Sequence, residues 1–309
     1  MKVFILPTLA FVAGCIFCSM LWSADDDLQA QLEAATKKVT SREYVLKYKF
    51  RAGESIRWQV LHNASTETRI QGNTQTSQAR SKSIKLWKIT DVDAKGQITF
   101  IHMIESVDMW QKLSDQPELS YNSRTDRNPP LLYEDVADTV GKPIARITIT
   151  PYGEVVKRDS KLRNPNFGVG EITLRFPEKP VKIGSQWYAP NKINVRLKDK
   201  RVLPVKVRHK HTLRDVKDNI ATIRVETEIL TPGVNRPSIR SQLIQQMTQG
   251  VIFFDIEKGR VLRKILDWNE NVVGFSGPDS SMRYIAQFKE ELIPSNSRTA
   301  RSGSKTNNQ

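Results

Sequence analysis

Val205-Lys206-Val207-Arg208-His209-Lys210-His211-Thr212-Leu213-Arg214 alternates, residue by residue, between two chemistries. Val205, Val207 and Leu213 share one side with His209 and His211, while Lys206, Arg208, Lys210 and Arg214 take the other. Side chains two apart on a strand point the same way, so this stretch is a strand with one buried and one wet face. The segments around it are joined by short turns. Parallel strands need long crossovers, so the order is antiparallel.

The same period of two recurs outward in both directions, at 44–50, 56–70, 76–91, 97–110, 144–150, 154–157, 186–197, 220–230, 251–256, 260–275 and 281–292. Turn residues separate these runs at Ala52-Gly53, Gly72-Asn73, Lys95-Gly96, Pro151-Tyr152-Gly153 and Lys258-Gly259. Helical spacing appears at Leu132, Val136 and Val140, stopped by Gly141, and again over 238–249. Loops at 114–130 and 159–180 are rich in proline and polar residues. The two sides of the second loop match in order. Trp87-Lys88-Ile89-Thr90-Asp91-Val92 corresponds to Thr212-Leu213-Arg214-Asp215-Val216, and the hairpin at Gly153 corresponds to the hairpin at Gly259. The expected fold is mainly β (α+β): two related halves of long, curved, half-barrel-like antiparallel sheets, each with a short helix.

Residues 1–23 begin with Lys2, continue as an apolar run and meet Asp25, Asp26 and Asp27. A basic start, an apolar stretch and an acidic follow-on read as an export signal. Three fates stay open, in this order: cleavage after Ser23, retention as a membrane anchor, and lipidation at Cys15 in Val12-Ala13-Gly14-Cys15. Leu28, Leu32, Ala35 and Val39 then give an amphipathic helix over 24–42. The expected organisation is 1–23, 24–42, a first β-rich half over 43–160, a second over 161–293, and a disordered polar tail over 294–309.

The 309 residues carry a formal charge of +15 with 39% hydrophobic content, enough for a real core. Such charge attracts polyanions without choosing among them. The lysines and arginines are scattered singly between strand positions, which is the pattern of a solvated basic surface. Nucleic acid is a poor fit: the export signal leads away from it, and no basic–aromatic motif occurs. An anionic envelope polymer or a lipid remains as candidate partner. Both cysteines, Cys15 and Cys18, lie in the N-terminal apolar run. Removing that run leaves no thiol chemistry and no disulfide-linked partner.

Candidate sites are sparse. His209 and His211 could chelate a metal, although a working site needs further ligands and His62 and His102 lie on other segments. The plainer reading is two polar residues lining a concave face or a sheet rim. Glu226, Glu228, Asp255, Glu257, Glu105 and Asp108 fall near strand ends, yet no spacing sets two of them across a cleft for acid–base work. Phosphate-loop, nucleophile-elbow, zinc-protease and redox motifs are absent from the sequence, and no cofactor is called for. Gly168-Val169-Gly170 and Gly274-Phe275-Ser276-Gly277 read as turns, and Asn63-Ala64-Ser65 has the form of a glycosylation sequon. The polar stretch 66–83 reads as a hairpin projecting into water.

Tyr48-Lys49-Phe50-Arg51-Ala52-Gly53-Glu54, Leu86-Trp87-Lys88-Ile89-Thr90-Asp91-Val92, Ser106-Val107-Asp108-Met109-Trp110, Gly250-Val251-Ile252-Phe253-Phe254-Asp255 and Val273-Gly274-Phe275-Ser276-Gly277 resemble a family of exported, functionally uncharacterised proteins common in planctomycete bacteria. The resemblance implies export and a β-rich fold, and supplies no catalytic residues. The functional expectation is a non-enzymatic envelope protein that binds or scaffolds. Two alternatives stand beside it: a carrier of lipid or another apolar ligand, and a hydrolase of envelope polymers. Expressed in a Gram-negative host, the full chain is expected in the periplasmic fraction with an intact mass that begins at Ala24. Retention in the cytoplasm would remove the export reading.

Overall fold

The computed structural model describes residues 41–160, 172–197 and 199–294, together with Gln29. The export segment, nearly all of the expected N-terminal helix, Gly168-Val169-Gly170 and residues 295–309 lie outside the described residues. Among the described residues, twelve antiparallel strands form one open sheet. They are β1 (Ser55–Ile70), β2 (Asn73–Val92), β3 (Ile98–Leu113), β4 (Leu119–Asn122), β5 (Pro143–Ile149), β6 (Val155–Ser160), β7 (Gln186–Arg196), β8 (Val202–Lys217), β9 (Ile220–Ile229), β10 (Gln249–Asp255), β11 (Arg260–Val273) and β12 (Ser281–Ile293). The spatial order is β6-β5-β3-β2-β1-β12-β11-β10-β9-β8-β7, with β4 paired to β3. Two meanders therefore meet where β1 pairs with β12, in a register running from Arg57↔Ile293 to Arg69↔Ser281. Within each meander a short helix separates the third long strand from the next, at Glu134–Ala137 and at Pro237–Leu243.

The pleat puts alternate residues on an inner, packed face and an outer, wet face. The inner face carries Trp58, Trp87, Phe100, Phe254, Leu266, Trp268 and Phe288, all buried. Their rings interlock: Trp87 stacks on Phe100 with centroids 4.2 Å apart, and Trp58 meets Trp87 edge-on at 4.8 Å. Each large aromatic removes 150–250 Å² from water, so this cluster dominates the core energetics.

Residues 44–50, expected as a strand, form an extended strap. Only Tyr44 makes a ladder contact, an isolated bridge to Val181. Tyr44, Leu46, Tyr48 and Phe50 are buried by alternation, while their backbone is tied to turns. The Tyr48 N–H donates to the Pro151 carbonyl (2.7 Å) and the Lys49 N–H to the Gly259 carbonyl (3.1 Å). The Lys49 ammonium donates to the Ile256 and Glu257 carbonyls at 3.0 and 3.2 Å. One strap thus holds the β5–β6 turn of the first meander and the β10–β11 turn of the second. Leu174 closes over it, its N–H donating to the Tyr48 hydroxyl at 2.9 Å.

Two smaller cores flank the main one. Ile104, Val107, Tyr121 and Ile144 pack with Tyr133 at the first helix, and Val195, Val205 and Val207 pack with Ile239 and Leu243 of the second. Both helices are shorter than their periodicity suggested. The first is a 3-10 turn, Leu131–Tyr133, followed by Glu134–Ala137, and the second gives way to a 3-10 turn at Ile244–Gln246 before β10 begins. The loop expected over 114–130 contains β4, whose four residues pair with Asp108 to Gln111 of β3. The polar stretch 66–83 is continuous strand on both sides of the Gln71-Gly72 turn.

Gly153 and Gly259 both adopt positive φ, +83° and +60°. A Cβ at Gly259 would run into the Lys49 backbone nitrogen, and one at Gly153 into the Leu174 carbonyl and the Tyr48 ring. Gly72 has the same φ as Gly153 but open space around it. Gly153→Ala and Gly259→Ala are expected to lower unfolding free energy by about 2–4 kcal/mol each, combining left-handed strain with overpacking. Gly72→Ala should lose only about 1 kcal/mol. Urea midpoints at constant m-value check this, and equal losses at all three would show that the strap does not crowd the turns.

Candidate functional site

All four histidines of the chain lie on the inner face. His209 and His211 of β8 project there as expected, beside Val207 and Leu213, and register opposes them to Thr227 and Val225 of β9. His209 Nδ1 lies 3.2 Å from the Thr227 hydroxyl, and the His211 ring stacks on Trp187 at 5.5 Å. His102 is buried on β3 opposite Trp87, and His62 faces Trp268 and Phe288 from β1. Among the described residues no three His, Cys, Asp or Glu side chains gather in a way that could hold a metal ion. The candidate carboxylates are engaged in ion pairs and turn contacts, Glu226 and Glu228 sharing Lys210. Glu226 pairs with Lys210 and Arg224, Glu228 with Arg208 and Lys210, Glu105 with Arg57, and Asp255 accepts from the Lys258 N–H.

Sequence reasoning missed the most buried charges. Lys85 of β2 donates to Glu290 of β12 at 2.6 Å, and Lys264 of β11 lies 3.5 Å from the other carboxylate oxygen. Glu290 is only 5% exposed. Burial pushes its carboxyl up, but the ammonium groups of Lys264 and Lys85 outweigh burial and bring it down to about 2. Burial lowers Lys85, opposed by Glu290. The Lys85 ammonium also lies 4.5 Å from the Trp58 ring and 5.1 Å from the Trp87 ring, so indole faces supply part of its solvation. Alternation in β2 gives no hint of this: Lys85 sits between Ile84 and Leu86 and reads as a solvent-facing lysine. Beside the triad is a cavity of about 60 Å³ lined by Trp58, Ile252, Leu266, His209, His211 and Lys264 among others. Burial lowers His211 to about 3, with His209 adding to the effect, and lowers His102 to about 4, with Lys85 and Arg158 adding.

The outer face presents a second feature. A groove of about 690 Å³ crosses β3, β2, β1, β12 and β11. Register aligns one row along it: Trp110 opposite Arg80, Arg80 opposite Asn63, Asn63 opposite Gln287, and Gln287 opposite Asp267. The neighbouring row is Gln78, Ser65, Ile285 and Asn269. Five adjacent strands at their usual spacing make each full row about 19 Å long. Trp110 is held by its indole N–H, which donates to Glu118 at 3.2 Å, and Gln287 donates to Asp267 at 2.9 Å. The side-chain amides of Asn63, Gln78 and Asn269 have no hydrogen-bond partner among the described residues. Asn63 and Ser65, noted as a sequon, sit mid-strand in this groove. Elsewhere on the outer face charges are matched across strands: Arg208 with Glu228 at 2.7 Å, Lys210 with Glu226 at 2.8 Å, and Arg263 with Glu291 at 2.7 Å. On the basic side of β8, Arg208 and Lys210 are thus neutralised by β9.

The sequence matches no protein-family model and no curated protein. Among solved structures the chain has a likeness to lipovitellin, in a study of its lipid–protein interactions, with TM-score 0.40 and 8% identity over 80% of this chain and 26% of that one. It spans about a quarter of that protein's length. The translocator domain of the autotransporter NalP from Neisseria meningitidis gives TM-score 0.20 and 7% identity, over 91% of this chain and 100% of that one. The secretin InvG of the Salmonella SPI-1 type III secretion injectisome gives 0.18 and 10%, over 89% and 67%. All three scores lie below 0.5 and carry no argument.

The buried titratable groups predict acid sensitivity. Glu290 stays ionised in the folded chain down to about 2, against an ordinary 4.5 for the unfolded side chain, so its contribution is present above 4.5 and lost as pH falls towards 2. His102 and His211 stay neutral down to about 4 and about 3, against 6.5 when unfolded. Their contribution is present above 6.5 and lost as pH falls through those values. His211→Phe is expected to flatten the decline between pH 6.5 and 3 by up to about 1.4 kcal/mol per pH unit, one proton's worth. Glu290→Gln should cost about 3–5 kcal/mol at neutral pH, because two ammonium groups lose their counter-charge. An unchanged pH profile in His211→Phe, followed by urea titration, would contradict a neutral buried imidazole.

Proposed function

We propose that the protein is an exported, non-enzymatic binding protein of the cell envelope, which engages its ligand through the face of its open sheet. Residues 1–23 support export, as the apolar run between Lys2 and Asp25 reads as a signal. The observation that carries the binding reading is the outer-face groove of about 690 Å³, within the size range of ligand sites. Asn63, Ser65, Gln78, Asn269 and Gln287 give it polar groups, Trp110 and Ile285 give it apolar surface, and the Trp110 indole N–H is bonded to Glu118 at one end. Interface aromatics of this kind commonly anchor binding.

A second reading, carriage of lipid or another apolar ligand, is favoured by the inner face. The small cavity there is walled by Trp58, Ile252 and Leu266, with the paired Lys264 and Glu290 at its polar side. The strap at 44–50 covers part of that face, so an acyl chain requires the strap to shift.

The groove reading is checked by co-sedimentation of protein lacking residues 1–23 with washed, protease-treated bacterial envelopes. The protein is expected to pellet, and the double variant Trp110→Ala/Asn63→Ala to lose at least half of its bound fraction. Equal pelleting of both would sink the groove reading. Native mass spectrometry after expression in bacteria addresses the carrier reading, which expects a co-purified mass in the lipid range.

A further inference from the structure

We infer that the outer-face groove takes an extended, uncharged glycan chain. This rests on the groove being the binding surface, and it specifies the chemistry of the ligand. The first observation is charge. On a chain of formal charge +15, the groove carries one cation, Arg80, and one anion, Asp267. The two charges offset each other, so the groove itself holds no excess of positive charge to draw a polyanion.

The second observation is the chemistry of the neutral side chains. Asn63, Gln78 and Asn269 each offer a carbonyl acceptor and an NH₂ donor with no partner within the described chain. Gln287 spends one donor on Asp267 and keeps its carbonyl. Groups that donate and accept together match hydroxyl and acetamido groups, which do the same. Trp110 and Ile285 add apolar surface, and the C–H face of a sugar ring stacks on an indole. The anchoring of the Trp110 N–H on Glu118 holds that indole in one orientation before any ligand arrives, which lowers the ordering cost of binding.

The third observation is direction. The row Trp110, Arg80, Asn63, Gln287, Asp267 runs across the strands. Peptides recognised by sheets add along an edge and pair with free backbone groups. In the middle of this sheet the backbone of β1, β2, β11 and β12 is already consumed by its own ladders. Recognition here falls to side chains alone, over about 19 Å, which suits a chain of several sugar rings.

The test is isothermal titration of protein lacking residues 1–23 with defined probes. These are β-1,4-linked glucose and N-acetylglucosamine oligosaccharides of two to six units, polygalacturonate, and an unfolded glutamine-rich peptide. The variants are Trp110→Ala, the double variant Asn63→Ala/Asn269→Ala, and the off-groove control Lys192→Ala. All four substituted positions lie in the sheet with solvent access, and thermal unfolding within a few degrees of the parent confirms that each variant folds. The expected result is binding of the neutral oligosaccharides that strengthens up to about four units. Trp110→Ala should weaken it about tenfold or more, the double variant likewise, and Lys192→Ala less than twofold. Binding of polygalacturonate or the peptide that is lost in Trp110→Ala, with no binding of neutral oligosaccharides, would overturn the glycan assignment and leave the groove as a site. Binding of any probe that ignores both groove variants would overturn the groove itself.

Discussion

The pairing of β1 with β12 is the constraint on which the rest of the molecule depends. Each meander alone would be a separate curved sheet with its own free edges. The register from Arg57↔Ile293 to Arg69↔Ser281 fuses them, and it does so at the centre. Inside, it brings Lys85, Glu290 and Lys264 from three different strands to one place and lets Trp58 donate to the Val261 carbonyl at 3.0 Å. Outside, it lines up Asn63 with Gln287, which turns two unrelated polar strands into one continuous row. The strap at 44–50 then ties the two meanders a second time, through Pro151 and Gly259. A one-residue slip at β1–β12 would put Val60 and Phe288 in water and break the triad and the row together.

Charge is organised by depth. A net charge of +15 would strain a compact chain if its cations lay unpaired, yet the outer strands oppose arginine and lysine to glutamate in register. Exposed pairs of this kind contribute little each, roughly 0.2–1 kcal/mol, and their clearer effect is to fix which residues face one another. The inner triad is different. Its desolvation is severe, so its members hold position only while all of them are present.

Much of the local architecture was legible in the sequence. Alternation located nearly every long strand, because a half-buried sheet leaves a period of two wherever one face meets water. The tight turns at Gly153 and Gly259 were readable from their residues, although the crowding that demands glycine came from the strap and was not. The strap has the pattern of a strand without being one: Tyr44, Leu46, Tyr48 and Phe50 alternate, and alternation reports burial on one side without reporting a ladder. The inner placement of His209 and His211 followed from their neighbours. Lys85, Glu290 and the groove did not, since each is assembled from strands remote in sequence. Lys85 and Glu290 are 205 positions apart, and no local pattern distinguishes them from solvated residues.

The order of strands has a consequence for how the chain is made. During synthesis β1 emerges first and β12 last, so β1 can zip onto β2 early while its opposite side waits for most of the chain. A waiting edge is a template for association with other molecules. The far half of β1 reads Asn63, Ala64, Ser65, Thr66, Glu67, Thr68, Arg69, polar apart from Ala64 and closed by opposite charges. Those residues act as gatekeepers, keeping the vacant side soluble until its own partner arrives.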